Sequence, residues 1–468
     1  MIGKVFKAYD VRATYPKPLT EKVAWQIGAG AAQYLTEFAA AAGREEPMMK
    51  HIVVGHDMRT HSPVLFEALC NGIRDFGAHV IDIGLVDTPM IYFAVNYLGC
   101  CGGIQTTASH NPANYNGFKF SKIAAKPVGM GSGLEEVQRF AVIADPNKPR
   151  QGGGRIEKRD LWEPYRAHVH QFLDPGLLDG SKTLKVVIDA SNGMAGTMVP
   201  KVFGDVPGLK ITKLNFDNST GTFVHEPNPL VEGNLKQLQG TVVAKKADLG
   251  ICFDGDADRC VVIDEHGQTI GCDLLTAWLS EDMLKQSPGS AVVFDLRSSK
   301  SVAEMVTEAG GRPVKSRVGH VFMKQAMTDN SAVFGGELSG HFYFRDNFNA
   351  DSGAIAFAAV VSSLVHSENT MSRQITRAQR YVQSGERNFE VEEKDVAMET
   401  LVEAFPDATL EELDGITLDS GDWWCNVRAS NTEPLLRLNL EGPDEATVAE
   451  KVAEVAGHLA DLGHAVDH

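Results

Sequence analysis

Three short apolar runs, each ending in an aspartate, recur along the chain in one repeating layout. His51-Ile52-Val53-Val54-Gly55 leads to Asp57, Lys185-Val186-Val187-Ile188 to Asp189, and Ala291-Val292-Val293-Phe294 to Asp295. Bounded apolar runs of this length predict buried strands. Small polar residues follow each, then a helical stretch, the first from Ser62 to Gly77 with apolar residues at helical spacing. A second strand is expected at His79 to Ile83, Lys210 to Leu214 and Arg312 to Lys315. A third runs into a polar loop, at Gly103 to Ser109, Asp248 to Asp258 and Ala332 to His341. Such alternation predicts parallel-type α/β units. Ligands of such sheets gather at the carboxyl ends of strands, so three loops are expected to serve one shared cleft.

The remainder is patterned differently. The segment from Lys148 to Gly154 is turn-rich. Arg380 to Lys394 is charged and lacks helical periodicity, and reads as a link to a last domain. That domain has strand patterns near Gly415 to Asp419, Trp424 to Arg428 and Leu435 to Leu440. A closing helix from Ala446 to Leu462 carries Val448, Val452, Val455 and Leu459 on one face. These predict an α+β unit with mostly antiparallel pairing. Trp423 and Trp424 are read as its core residues, and His464 and His468 as a frayed end.

Composition narrows the partners. A chain of 468 residues exceeds one hydrophobic core and implies several domains. Its 43% apolar content is ordinary for a globular protein, and no apolar run approaches the roughly 20 residues that span a bilayer. Met1 to Asp10 lacks the apolar centre of a secretory signal, so the cytoplasm is the expected location. The net charge of −17 argues against a nucleic-acid partner, which needs a basic footprint, yet leaves room for a local basic pocket. Seven cysteines without a CxxC pair read as buried, reduced thiols.

Candidate chemistry concentrates in four loops. Ser109 stands in a small-residue loop after the strand-like Cys100 to Thr106, with His110 next and Lys119 and Lys122 downstream. A serine presented this way can act as a nucleophile or carry a phosphoryl group, although most Ser-His pairs are ordinary surface loops. Asp254, Asp256 and Asp258 alternate in Asp254-Gly255-Asp256-Ala257-Asp258-Arg259 and point the same way if the backbone is extended. Three carboxylates so close need a cation such as Mg2+, unless the loop is a solvated acidic turn. A helix-loop-helix calcium site fits poorly, because Arg259 replaces the glycine of its sixth position. Glu337 and Ser339, in Gly336-Glu337-Leu338-Ser339-Gly340-His341, offer hydrogen bonds to vicinal sugar hydroxyls or form a plain turn. Arg428, Ser430, Asn431 and Thr432 suit a dianionic phosphate or cap a polar hairpin. Tyr9, Arg12 and His320 are weaker candidates on their own.

Taken together, Thr106-Thr107-Ala108-Ser109-His110-Asn111-Pro112, the Asp254–Arg259 loop, the Gly336–His341 loop and the run from Arg428 to Pro434 resemble the α-D-phosphohexomutase superfamily, its bacterial phosphomannomutase/phosphoglucomutase branch most closely. All four motifs stand in the family order and cover nearly the whole chain. The resemblance implies three related α/β domains with mixed sheets plus a C-terminal α+β domain around a central cleft. With the composition breaks, it divides the chain at 1–155, 156–267, 268–376 and 377–468. It implies that Ser109 carries the phosphoryl group and that Asp254, Asp256 and Asp258 hold Mg2+ together with a phosphoserine oxygen. Lys119, in Asn116-Gly117-Phe118-Lys119, would shuttle protons beside His110, with a pKa lowered by its surroundings. Glu337 and Ser339, with His341 beside them, would hold sugar hydroxyls, and Arg428, Ser430, Asn431 and Thr432 the distal phosphate. Tyr9, Arg12, Arg259 and His320 match other cleft residues. Three positions depart from the family habit: Ala13, Ala257, and Arg297 where relatives often have lysine, a change that would shift sugar contacts.

The implied activity is a phosphohexomutase interconverting hexose 6-phosphate and hexose 1-phosphate, of mannose and/or glucose, through a 1,6-bisphosphate intermediate that also serves as activator. The implied partner is a phosphohexose, with no nucleic acid and no membrane, in a monomer or homodimer. A phosphoglucosamine mutase, a Mg-dependent sugar phosphatase using Asp254 as nucleophile, and a non-catalytic phosphosugar-binding protein remain as alternatives.

Overall fold

Leu65, Leu69 and Ile73 recur at four-residue intervals, and all three are buried on one face of the helix Ser62–Phe76. Pro63 starts that helix, and Gly77, at φ 108°, ends it in the left-handed region. In the computed structural model this helix, α2, follows β1 (Val11–Thr14), α1 (Glu21–Ala41) and β2 (His51–His56). The structure describes residues 2–44, 47–148, 153–430, 435–460 and 462–466. Two compact units form, Met1–Gly271 with Ser339–Ser372, and Cys272–Leu338 with Arg373–His468.

The predicted repeat is present as one topological rule used three times. In the first unit, β2 lies between β3 (His79–Leu85) and β4 (Gly102–Thr106), parallel to both. After α3 (Thr88–Leu98) and β4, β5 (Tyr115–Lys122) returns antiparallel on β4, and β1 pairs antiparallel with β5. Leu184–Asp189 likewise lies between Leu209–Leu214 and Leu249–Phe253, parallel to both, and Cys260–Asp264 returns antiparallel. In the second unit Ala291–Asp295 lies between Arg312–Ser316 and Phe334–Gly336, again parallel to both. Each first strand is therefore central and buried on both faces, which explains its unbroken apolar run.

The last sheet differs from expectation in one respect. The charged segment read as a linker contains a ten-residue strand, Val382–Val391, that pairs with both Leu435–Gly442 and Gly463–Val466. Its alternate residues stay exposed, so charge on one face masked its strand character. His464 belongs to the strand Gly463–Val466 instead of a frayed end, while His468 lies outside the described residues, as do 149–152 of the turn-rich segment. The sheet is antiparallel throughout and carries the helices Lys394–Ala404 and Glu445–Leu459 over a core that includes Trp423. Trp424 is also buried and donates to Glu441 at 2.8 Å. All seven cysteines are buried as unbridged thiols, and no helix among the described residues is long and apolar enough to cross a membrane.

α1 and α2 meet backbone to backbone. A Cβ on Gly28 would stand 2.1 Å from the carbonyl oxygen of Leu69, and one on Gly72 2.0 Å from that of Trp25. Gly72→Val is therefore expected to overpack this contact and cost about 1–3 kcal/mol, read as a lower urea midpoint for the first unit.

Candidate active site

β4 ends at Thr106, and the chain then turns so sharply that Ser109 adopts a left-handed conformation at φ 49°. A non-glycine residue there needs support from its surroundings. Thr107 Oγ1 accepts from the Ser109 amide at 3.0 Å, and the Asn111 amide closes the turn on the Ala108 carbonyl. The largest support is Arg59, two residues beyond Asp57 at the end of the first apolar run, and 1% exposed. Its Nη2 donates to the carbonyls of Ser109 and Asn111 at 2.9 and 2.7 Å. Its Nη1 donates to those of Pro112 and Tyr115 at 2.7 and 3.1 Å, and its Nε to Asp57 at 3.2 Å. All five guanidinium N–H groups thus have acceptors, four of them on the serine loop and its exit. Lys122, by contrast, donates to Ser132 and takes no part.

The acidic loop meets the serine loop in the same unit. Asp254, Asp256 and Asp258 are buried, and their carboxylate oxygens lie within 4.8 Å of one another. They converge through a turn, with Ala257 at φ 59°, and not through the extended backbone the alternation suggested. Gly255 serves close approach: a Cβ there would stand 2.3 Å from the Ser109 carbonyl oxygen. Ser109 Oγ donates to Asp254 at 2.9 Å. Thr88 Oγ1 donates to Asp256 at 2.6 Å, and Lys119 Nζ bridges Asp256 and Asp258 at 2.7 and 2.6 Å.

Charge in this space is unbalanced. Burial and then the neighbouring Asp258 and Asp256 push the Asp254 carboxyl well up. Burial opposes ionisation of Asp256 too, but the Lys119 ammonium and the hydrogen bonds from Lys119, Thr88 and Ser109 together pull that carboxyl down. Lys119 would lose affinity for its proton through burial, yet Asp256, Asp258 and Asp254 raise its pKa on balance. The lowered lysine pKa expected above is therefore corrected: Lys119 is held as an ammonium. Asp256 Oδ1 and Asp258 Oδ1 are buried with no hydrogen-bond partner. Three carboxylates against one ammonium, with orphaned hard oxygens, fit a divalent cation.

Further groups of this unit gather at the acidic loop. Arg259 donates its Nε to His341 Nε2 at 3.0 Å, and His341 Nδ1 lies 2.9 Å from Asp351. An imidazole that accepts at Nε2 carries its proton at Nδ1, so Asp351 sets the tautomer. His110 Nδ1 lies 3.4 Å from Ser109 Oγ, and burial, then Arg259, Arg12 and Lys119, hold its pKa well below the usual histidine value. Arg12 donates to Asn111 at 2.6 Å and to Asp10 at 2.5 Å. Tyr9 and Ser339 are half-buried.

The second unit carries the remaining candidates. Arg297 forks onto Asp295 through Nε at 3.0 Å and Nη2 at 2.9 Å, repeating the i, i+2 pairing of Asp57 and Arg59. Glu337 is buried and accepts from the Gly319 amide at 2.9 Å, just before His320 opens the helix His320–Asp329. Arg428 donates to Glu386 at 3.1 Å, Ser430 is buried, and Lys394 donates to the Ser430 carbonyl at 3.0 Å. Asn431 and Thr432 lie outside the described residues.

Against this geometry stand the comparisons with known proteins. Residues 3–129, 163–267 and 272–381 match phosphoglucomutase/phosphomannomutase alpha/beta/alpha domains I, II and III, and 386–458 match the C-terminal domain. The chain belongs to the phosphoglucomutase/phosphomannomutase family. A phosphomannomutase of Vibrio cholerae is 36% identical over 96% of this chain and 97% of its own length. A protein named phosphohexose mutases from Xanthomonas campestris is 37% identical over 97% and 98%. A solved phosphoglucomutase/phosphomannomutase family protein from Burkholderia thailandensis superposes with a TM-score of 0.86 at 28% identity, over 98% of this chain and 97% of its own.

Arg59, Thr88, Asp351 and Glu386 have roles in this family member that sequence reading missed. Arg59 alone had a signal, standing two residues past a strand-end aspartate as Arg297 does. Arg59→Lys keeps the charge but not the fork, and should leave at least one buried carbonyl without a donor, at about 1–3 kcal/mol; urea denaturation measures it. Asp87 is buried, accepts from Tyr165 at 2.8 Å, and burial pushes its pKa up to about 7. A raised folded-state pKa means stability present below 3.8 and lost as pH rises towards 7. Asp87→Asn should therefore flatten the stability profile across that window in denaturation series at stepped pH.

Proposed function

We propose that this chain is a phosphohexomutase moving a phosphoryl group between O6 and O1 of mannose and/or glucose, with Ser109 as carrier. The observation that carries this reading is Ser109 Oγ held 2.9 Å from Asp254 at the edge of a buried carboxylate triad. Asp254, Asp256 and Asp258, with an oxygen of phosphorylated Ser109, would hold Mg2+, which supplies positive charge to the transferring phosphoryl group.

The protein's own groups do the rest. The attacking sugar hydroxyl must lose a proton. Neutral His110, beside Ser109 Oγ, is the acceptor ready to take it. Lys119, an ammonium while ion-paired with Asp256 and Asp258, would return a proton to Ser109 Oγ as the ester bond breaks. Arg259, held by His341, and Arg12, held by Asp10 and Asn111, balance phosphoryl charge. The resulting 1,6-bisphosphate turns over and returns its other phosphate to Ser109. Arg428 and Ser430, with Asn431 and Thr432, bind the phosphate that is not reacting, and Glu337, Ser339, Arg297, His320 and Tyr9 meet the sugar. The relatives' names support mannose, and the family description adds glucose, over glucosamine.

Ser109→Ala should reduce turnover to background while keeping the fold. Intact mass spectrometry of the purified protein should show a phosphorylated fraction mapping to Ser109; a phosphoryl group on Asp254 instead would point to a phosphatase. Stripping divalent cations with EDTA should abolish activity, and Mg2+ should restore it. Parallel rates with mannose, glucose and glucosamine phosphates rank the sugars.

A further inference from the structure

Arg428 and Arg437 stand directly opposite one another on the antiparallel strands Trp424–Ala429 and Leu435–Gly442. Like charges at facing positions repel. Arg297, nine-tenths buried, adds a third guanidinium to the same neighbourhood. Arg297 is already forked onto Asp295, and Glu386 approaches all three. Glu386 lies 3.1 Å from Arg428 Nη2, 3.3 Å from Arg437 Nη1 and 4.0 Å from Arg297 Nη1. It reaches them from the strand Val382–Val391, just after the register shift between Gln383 and Glu386. Its side chain is 30% exposed, so it can swing into solvent without unfolding its strand. Burial, and after it Arg297, lower the Arg428 pKa, while Glu386 opposes them. Arg428 Nε is buried without a hydrogen-bond partner, so the fork is not saturated by Glu386.

We propose that Glu386 is a built-in counter-ion of the phosphate clamp, holding Arg428 beside Arg437 until the substrate's phosphate displaces it. This rests on Arg428 being the clamp. A phosphate dianion and the Glu386 carboxylate repel each other at one set of arginines, so the two compete. Glu386 thereby keeps the arginines ordered in the free protein and weakens the grip on phosphate, which favours release of a bisphosphate that must turn over.

The test is calorimetric titration of inorganic phosphate into the full-length protein and its E386Q and R428Q variants, with melting curves taken with and without phosphate. E386Q should bind phosphate roughly three- to tenfold more tightly, melt lower in its absence and gain more from its addition. R428Q should bind more weakly. If R428Q weakens binding but E386Q leaves it unchanged or weaker, the counter-ion inference falls and the clamp stands. If R428Q binds as the wild type does, the clamp reading and this inference fall together.

Discussion

Everything in the first unit depends on holding three carboxylates in a dry space beside a serine. Left to themselves, Asp254, Asp256 and Asp258 would drive their loop into water, because buried like charges repel without screening. They stay because Lys119 bridges two of them, Thr88 satisfies one oxygen, and Gly255 lets the serine loop close to within backbone contact. The excess negative charge is what suits the place to a cation, and the strained Ser109 backbone keeps the hydroxyl aimed at Asp254. Strain and charge are both sustained by Arg59, whose buried fork leaves the loop's carbonyls one geometry that satisfies all its donors.

The three-fold repeat explains why such devices recur and how they diverged. Asp57 and Asp295 end equivalent central strands, and each receives an arginine two residues on. In the first repeat the guanidinium is spent on backbone carbonyls and cannot meet a ligand. In the third, Arg297 is satisfied by Asp295 on one side and keeps a nitrogen directed at Glu386. Asp189, at the same place in the second repeat, is met by the Ser191 amide, Asn215 and His225 instead. One strand-end carboxylate has thus become a loop anchor, a local hub and an arginine holder.

The charge pattern of the second unit is the reverse of the first. There, Arg428 and Arg437 meet on Glu386 with Arg297 close by on Asp295, while Lys119 gathers Asp256 and Asp258 in the first. Each half is stabilised by a minority counter-charge from the chain, and each therefore has a ligand of opposite sign to gain. A chain of net charge −17 still presents local positive charge because it concentrates cations at such points.

By itself the sequence determined the strands, the repeat and the inventory of reactive groups, since apolar periodicity and motif spacing are local properties. Ser109, the aspartates, Glu337 and Arg428 were legible because their residue types and spacings are tied to one chemistry. Val382–Val391 was not, because an exposed strand face carries charge and hides the alternation. Nor was the protonation of Lys119, which is set by Asp256 across 137 positions, or the support of Asp256 by Thr88 across 168. Arg59, Asp351 and Glu386 are ordinary charged residues in sequence and acquire their roles only from what packing brings within 3 Å or so of them. Electrostatics in a buried site depends on distance and desolvation, and neither exists until the tertiary structure has formed.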